Sequence, residues 1–276
     1  MELSGGSEMI EQNIKASRIV FGSINVSVRN LFAAIPIWLW LVQVLITSLF
    51  SMTFFDYVAN YAANPDISVA YVVIGNAVQS VALVSVYAVA NIPSIEKHTG
   101  TLTPLMVSPA NLFSVFIGMS IFQVLAGFMT VGISFTYAGL LFGVDLSMIH
   151  LPTLLLVIIL TSLSMAGLGM MVGCVGLYLR TSMIVANIVT YIGLILCGVN
   201  FPISYLPGWL HPVSYSIPLT YAVEATRMVM GGALVADIYD KLIMMFLIGA
   251  LMFILSYFVF KSFEKMVRKT GKTDSF

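Results

Sequence analysis

The stretch from residue 151 to residue 178 reads LPTLLLVIILTSLSMAGLGMMVGCVGLY and contains no charged side chain. An α-helix needs about 20 mainly apolar residues to cross the hydrocarbon core of a bilayer, because each residue adds roughly 1.5 Å. This stretch therefore predicts a membrane-spanning helix, and five other stretches meet the same test. The six predicted spans are 31–55, 67–90, 112–142, 151–178, 182–200 and 241–260.

The composition of the whole chain agrees with this interpretation. Of the 276 residues, 59% are hydrophobic and 9% are charged, and the mean hydropathy is +1.01. Soluble domains carry about a quarter of charged residues, so we predict an all-α polytopic membrane protein. The formal net charge is zero, which excludes a strongly basic nucleic-acid binder.

The distribution of Lys and Arg predicts the orientation of the spans. Ten of these residues fall on one side of the predicted membrane, and only Arg227 and Lys241 fall on the other. Basic loops stay in the cytoplasm, so we expect both termini there and the chain in the plasma membrane. We divide the chain into an amphipathic interface helix within residues 1–30, a six-helix transmembrane domain over 31–260 and a basic cytoplasmic tail over 261–276.

The predicted spans contain neutral polar residues but no charged residue away from their ends. Amides and hydroxyls inside spans most often bond between helices, and Gly169 and Gly173 form a GxxxG pattern typical of close helix packing. The lack of buried charge argues against an ion-coupled carrier. The three histidines are dispersed over loops on both faces, so we predict no catalytic residues, no metal site and no enzyme activity in this chain.

The predicted loop after the second span reads EKHTGTL over residues 96–102 and reaches Ser108 and Pro109. Pro93 is expected to end the preceding span, which leaves a short separate element over residues 94–108. Leu102, Leu105 and Met106 give this element an apolar face that could dock into a groove of a cytoplasmic partner. The alternative is a plain connecting loop.

Prolines interrupt the apolar segment between the fifth and sixth predicted spans. No continuous helix passes through all of them, so we predict re-entrant half-helices over residues 201–232. Trp209 is a typical interface anchor, and a short helix is expected to begin at Pro218. Glu224 and Arg227 lie three residues apart on this helix and can form a pair. The residues of interest are Pro202, Pro207, Trp209, Pro212, Tyr221, Glu224 and Arg227.

These two segments resemble the permeases of type-2 ABC transporters. The resemblance rests on the EKHTGTL run with the following Ser108-Pro109, and on the segment PLTYAVEATR over residues 218–227. It implies a dimer of permeases, with a second copy or a paralogue, and separate ATPase subunits that bind ATP and Mg; this chain binds no cofactor. It also implies an ATPase-coupling role for Glu96, Lys97, Gly100, Thr101 and Leu102, and an outer gate in residues 201–232.

The function implied by this resemblance is ATP-driven export. The substrate is expected to be hydrophobic or amphipathic, such as a drug, a peptide antibiotic, a lipid or a glycan. The alternative is a six-helix channel or a membrane assembly scaffold that is not coupled to an ATPase. A stable complex with an ATPase whose turnover depends on this chain distinguishes the two.

Overall fold

The computed structural model describes residues 22–23, 36–62, 67–107, 112–179 and 181–270. The predicted amphipathic helix within residues 1–30 therefore lies outside the described part, except for Gly22 and Ser23, which are helical. Residue 108, the end of the element predicted over residues 94–108, lies outside it as well, together with residues 109–111.

Regular structure in the described residues is entirely helical, which confirms the all-α prediction. Three single turns of 3₁₀-helix occur at Ile203–Tyr205, Gly208–Leu210 and Val235–Asp237. The α-helices are α1 (Ile37–Ala62), α2 (Val69–His98), α3 (Leu102–Val107), α4 (Leu112–Leu140), α5 (Leu151–Leu179), α6 (Ser182–Leu196), α7 (His211–Ser214), α8 (Pro218–Met230) and α9 (Tyr239–Thr270).

Five of the described helices, α1, α2, α4, α5 and α9, are long and apolar enough to cross a membrane. Helix α6, the predicted fifth span, has 15 residues. Such a helix is about 22 Å long and falls short of the roughly 30 Å hydrocarbon core. The chain is thus a multi-pass membrane protein with five candidate spanning helices in the described part, and the predicted count of six is not confirmed.

Helix α1 runs to Ala62, although its span was predicted to end at residue 55. The ends of α2 and α9 also differ from the prediction. Helix α2 passes through Pro93 and ends at His98, although Pro93 was expected to end it near residue 90. Helix α9 extends to Thr270, whereas the predicted span ended at residue 260 and the tail began at 261. In the extended part, Phe263 and Val267 are buried in a cluster with residues of α2, α4 and α5. Tertiary packing therefore holds the extensions of α2 and α9.

Helices α2 and α5 form the centre of the bundle, and small residues allow their close contact. A Cβ atom added at Gly169 would lie 3.0 Å from the Val86 Cα, and one at Gly173 would lie 2.8 Å from the Ala90 carbonyl oxygen. Larger side chains at these glycines would push α5 away from the backbone of α2. The GxxxG pattern lies on the α5 face that contacts α2.

Helix α9 packs on another face of α5. Gly249 of α9 approaches the Ser164 Cα so closely that an added Cβ would lie 2.8 Å from it. The Ser164 hydroxyl donates a hydrogen bond of 2.9 Å to the Met245 carbonyl oxygen. Because the α2–α5 and α5–α9 contacts are both close, α5 links the central helix α2 to α9.

Candidate functional site

The first candidate site is the turn that joins α2 to α3, which we call the α2–α3 turn (residues 95–102). Its backbone is closed by hydrogen bonds from the Thr99 N–H to the Ile95 oxygen, 2.9 Å, and from the Gly100 N–H to the Lys97 oxygen, 3.1 Å. Gly100 has a φ of +73°, a conformation that other residues adopt only with strain. Glycine at this position lets α2 stop and α3 start almost at once.

The side chains of Glu96 and Thr101 connect across this turn. Glu96 is 3% exposed, and the Thr101 hydroxyl donates to its carboxylate. The same hydroxyl lies 3.1 Å from the Glu96 carbonyl oxygen and 2.8 Å from the Thr99 hydroxyl. A buried carboxylate needs such donors, because burying it without them costs several kcal/mol. The spacing of EKHTGTL thus lets the side chains of Glu96 and Thr101 bond across the turn and fix it. We call this bonded pair the clasp.

The surface of the α2–α3 turn differs from the one expected from sequence. Leu102, predicted to dock into a partner, is 5% exposed and packs in the cluster that contains Phe113 and Phe260. Glu96 is buried as well, so neither side chain is available for contact at the surface. The exposed side chains in and next to the turn are Ile95, His98, Thr99, Thr101, Pro104 and Val107, and Lys97 is partly exposed.

The second candidate site surrounds Arg227 on α8, near the opposite end of α2. We call it the Arg227 cluster: Tyr71, Gly75, Val199 and Arg227. The Arg227 guanidinium lies 3.4 Å from the centre of the Tyr71 ring, and its Nη2 donates to the Tyr71 oxygen at 3.1 Å and to the Val199 oxygen at 2.9 Å. A cation above an aromatic ring and bonded to two carbonyls is held firmly in place.

Two glycines make this approach possible. A Cβ atom on Gly75 would collide with the Val199 carbonyl oxygen and lie 3.0 Å from Arg227 Nη2. Gly198 has a φ of +71°, which turns the chain after α6, and its carbonyl oxygen accepts from the Tyr71 hydroxyl at 3.2 Å. The adjacent Asn200 accepts a 2.8 Å bond from Asn76. These contacts tie the end of α6 to α2.

The expected pair between Glu224 and Arg227 is wrong, because each side chain has other partners. Glu224 accepts a 3.1 Å hydrogen bond from the Tyr215 hydroxyl, and its carboxylate lies 4.0 Å from Lys241 Nζ. Burial lowers the pKa of the Arg227 guanidinium to about 10, while Tyr71 and Glu224 act to raise it. Arg227 therefore remains charged at neutral pH, and its Nε is buried without a hydrogen-bond partner among the described residues.

The proline-containing segment 201–217 is a series of short turns. Pro202 and Pro207 precede the two 3₁₀ turns, and Pro212 lies in the first turn of α7. Trp209 is 74% exposed. Pro218 occupies the first turn of α8, as predicted, and Tyr221 on α8 contacts Tyr215 with ring centres 5.7 Å apart. The segment contains no continuous helix, but a re-entrant position in a membrane is not confirmed.

The comparison with known families decides the identity. A family model described as ABC-2 type transporter matches residues 26–231. The chain belongs to the ABC-2 type transporter family. It is thus a permease subunit of an ABC transporter, a membrane protein that carries out transport and is not itself catalytic. No curated protein matches the chain.

Both candidate sites of this ABC-2 permease lie inside the matched region, which ends one residue after α8. Sequence reasoning singled out the α2–α3 turn and Arg227 but missed Tyr71 and Val199, which are 156 and 28 residues away from Arg227 along the chain. Gly75 was the signal in the sequence that could have indicated this close contact, because small residues within a long apolar helix let another part of the chain approach closely. Among the described residues, no group of three or more His, Cys, Asp or Glu side chains could hold a metal ion.

Proposed function

We propose that this permease is the membrane subunit of an ATP-driven exporter. In this proposal it works with a second permease and with separate ATPase subunits that bind ATP and Mg. It moves a hydrophobic or amphipathic substrate out of the cytoplasm or the inner leaflet. Membership of the ABC-2 family supports the coupling to an ATPase, and the excess of Lys and Arg supports an orientation with the α2–α3 turn in the cytoplasm.

One observation carries the mechanism: a single helix joins the two candidate sites. Helix α2 has 30 residues, with Tyr71 of the Arg227 cluster near its first residue and Glu96 near its last. A helix of this length extends about 45 Å, enough to cross the membrane. Because α2 is continuous through Pro93, a displacement of the α2–α3 turn moves the helix as one unit. The Arg227 cluster then receives that displacement at the far end.

The residues of the α2–α3 turn divide between two roles in this mechanism. The exposed His98 and the partly exposed Lys97 contact the ATPase. The buried Glu96 and Leu102, together with the exposed Thr101 that bonds to Glu96, hold the turn rigid, so that force on its surface is transmitted rather than lost in local bending.

The Arg227 cluster and the segment 201–217 form the outer barrier in this proposal. Arg227 fixes α8 to the first turns of α2 and to the end of α6. Motion of α2 strains these bonds, and their rearrangement opens the path for the substrate. The exposed Trp209 anchors the barrier at the membrane surface.

The test measures ATPase turnover of the complex in proteoliposomes, using the ATPase that co-purifies with the permease. Thr101→Val keeps the shape of the side chain but removes the donor to the buried Glu96 carboxylate, a bond of the charged type contributing about 1.5–3 kcal/mol. We expect substrate-stimulated turnover and export to fall several-fold while the permease still inserts. Thr136→Val is the matched control, because the exposed Thr136 hydroxyl bonds to Gly132 of its own helix.

Equal stimulation by wild type, Thr101→Val and Thr136→Val would contradict the role of the clasp. A permease that transports in the absence of any co-purifying ATPase would overturn the exporter proposal itself and support the channel.

A further inference from the structure

A groove of about 320 Å³ lies between α1, α2 and α4, and its lining includes Asn76, the residue after Gly75 of the Arg227 cluster. Its volume falls at the lower end of the range of roughly 300–1,000 Å³ that small-molecule sites occupy. The groove runs along α2 from Asn76 to Tyr87, which is about 16 Å at 1.5 Å per residue. Such a shape accepts one elongated molecule.

The walls of this groove are amphipathic. Leu83 and Val84 of α2 and Val44 of α1 supply apolar surface. Hydroxyl and amide groups lie between them on all three helices: Gln43, Thr47, Ser48, Ser51, Asn76, Ser80 and Thr130. None of the described residues that line the groove carries a charge. The groove therefore offers hydrogen bonds and apolar contacts to an occupant, but no counter-ion.

Some polar groups of the groove are satisfied within the protein. Ser51 donates to the Asn76 side-chain oxygen at 3.0 Å, Ser80 donates to the Ala77 oxygen at 2.6 Å, and Thr130 donates to the Ala126 oxygen at 3.0 Å. These hydrogen bonds hold the walls of the groove in place. The three hydroxyl groups therefore have little hydrogen-bonding capacity left for an occupant.

Ser48 is different. It is 4% exposed, yet its hydroxyl has no hydrogen-bond partner among the described residues, and it lines the groove. Thr47 and Gln43 of the same helix also line the groove, and both residues are exposed. The Ser48 oxygen is not fully enclosed by the protein, so it opens to the groove. An occupant that bears hydroxyl groups can therefore bond to Ser48.

We propose that this groove binds the transported substrate, and that the substrate is an uncharged amphipath with a hydroxyl-bearing head and an apolar tail. That the bound molecule is the transported substrate rests on the proposed function. That such a molecule binds in the groove does not. A charged head would lose its hydration without meeting an opposite charge, so it is disfavoured. A purely apolar chain would leave the Ser48 hydroxyl unpaired.

The experiment uses the full-length permease in nanodiscs, without an ATPase, and measures photolabelling at sub-saturating probe concentration. The two probes are an alkyl glucoside and an alkyl phosphate with the same chain length and the same diazirine in the tail. We expect the glucoside to label peptides from α1 and α2 in preference to the phosphate. Excess unlabelled alkyl glucoside should compete with this labelling.

Two variants test the groove and one serves as the control. Ser48→Ala removes the unpaired hydroxyl and should weaken glucoside labelling by about three- to tenfold, the effect of one hydrogen bond. Thr47→Leu narrows the groove and should reduce labelling as well. Thr136→Ala removes an exposed hydroxyl on α4 that does not line the groove and should leave labelling unchanged.

Equal labelling by the glucoside and the phosphate would mean that the groove holds ordinary bilayer lipid, which overturns the proposal. Labelling of Ser48→Ala at the level of Thr136→Ala would overturn it too. Because no ATPase is present in this experiment, neither outcome tests the exporter proposal. The ATPase measurement in proteoliposomes tests that proposal separately. Conversely, selective labelling in a permease that stimulates no ATPase would retain the binding site and reject the exporter.

Discussion

Replacing Gly75 by alanine tests the Arg227 cluster at its closest contact. The added Cβ atom would lie 2.9 Å from the Val199 carbonyl carbon and 3.0 Å from Arg227 Nη2, and it would collide with the Val199 oxygen. Backbone atoms of Val199 cannot move aside as a flexible side chain does. The chain after α6 must therefore shift away from α2, which breaks the 2.9 Å bond between Arg227 and Val199.

The size of the effect follows from these contacts. A hydrogen bond to a charged group contributes about 1.5–3 kcal/mol, and the carbonyl that loses its donor is left without a replacement. Alanine regains roughly 0.5–1 kcal/mol relative to glycine inside a helix. We therefore expect Gly75→Ala to lower the free energy of unfolding by about 0.5–2.5 kcal/mol, the difference between these two effects.

Gly132→Ala is the matched control for this change. Gly132 is also an interior residue of a long apolar helix, α4, but an added Cβ meets no atom within 4 Å. Unfolding of both variants in detergent micelles, followed by circular dichroism, should place Gly75→Ala below wild type and Gly132→Ala at or above it. If the two variants are equally stable, the close approach of Val199 to α2 does not hold the cluster together.

Three further predictions concern the turn, the outer segment and the topology. Gly100→Ala should reduce ATPase stimulation more than Gly143→Ala, since both glycines have positive φ and open surroundings but only Gly100 lies in the α2–α3 turn; equal effects would remove the turn from coupling. Pro207→Ala should lower export with less effect on ATPase turnover, and an unchanged export rate would contradict a barrier role. Single cysteines at Lys265 and Met148 should react with impermeant reagents from opposite sides of intact membranes, and reaction from the same side would refute the orientation.

The sequence predicted the helical class and the position of each long helix, because runs of about 20 apolar residues have few alternatives in a membrane. It did not predict how far three of them, α1, α2 and α9, continue. Residues 91–98 and 261–270 contain charged side chains or a proline, and local rules end a helix there. Burial of Ile92 and Phe263 in one cluster with residues of α4 and α5 overrides those rules.

The sequence predicted the candidate sites only in part, because it does not show which side chains contact each other in the fold. The residue types of EKHTGTL located the α2–α3 turn, whereas the positive φ of Gly100 was found only in the structure. Spacing could not reveal that Glu96 turns inward, since that depends on Thr101 and on the packing of Leu102. Glu224 and Arg227 looked like a pair because only neighbours along the chain are visible in a sequence.

In the proposed mechanism the α2–α3 turn contacts an ATPase, and site-specific cross-linking detects such a contact. A cysteine replaces the exposed His98 in one variant and the exposed Met148, on the loop between α4 and α5, in the other. Both natural cysteines, Cys174 and Cys197, are buried and contribute little background. In the complex purified with its ATPase, His98→Cys should cross-link to the ATPase and Met148→Cys should not. An active complex in which His98→Cys gives no cross-link, or in which both variants cross-link equally, would contradict the account.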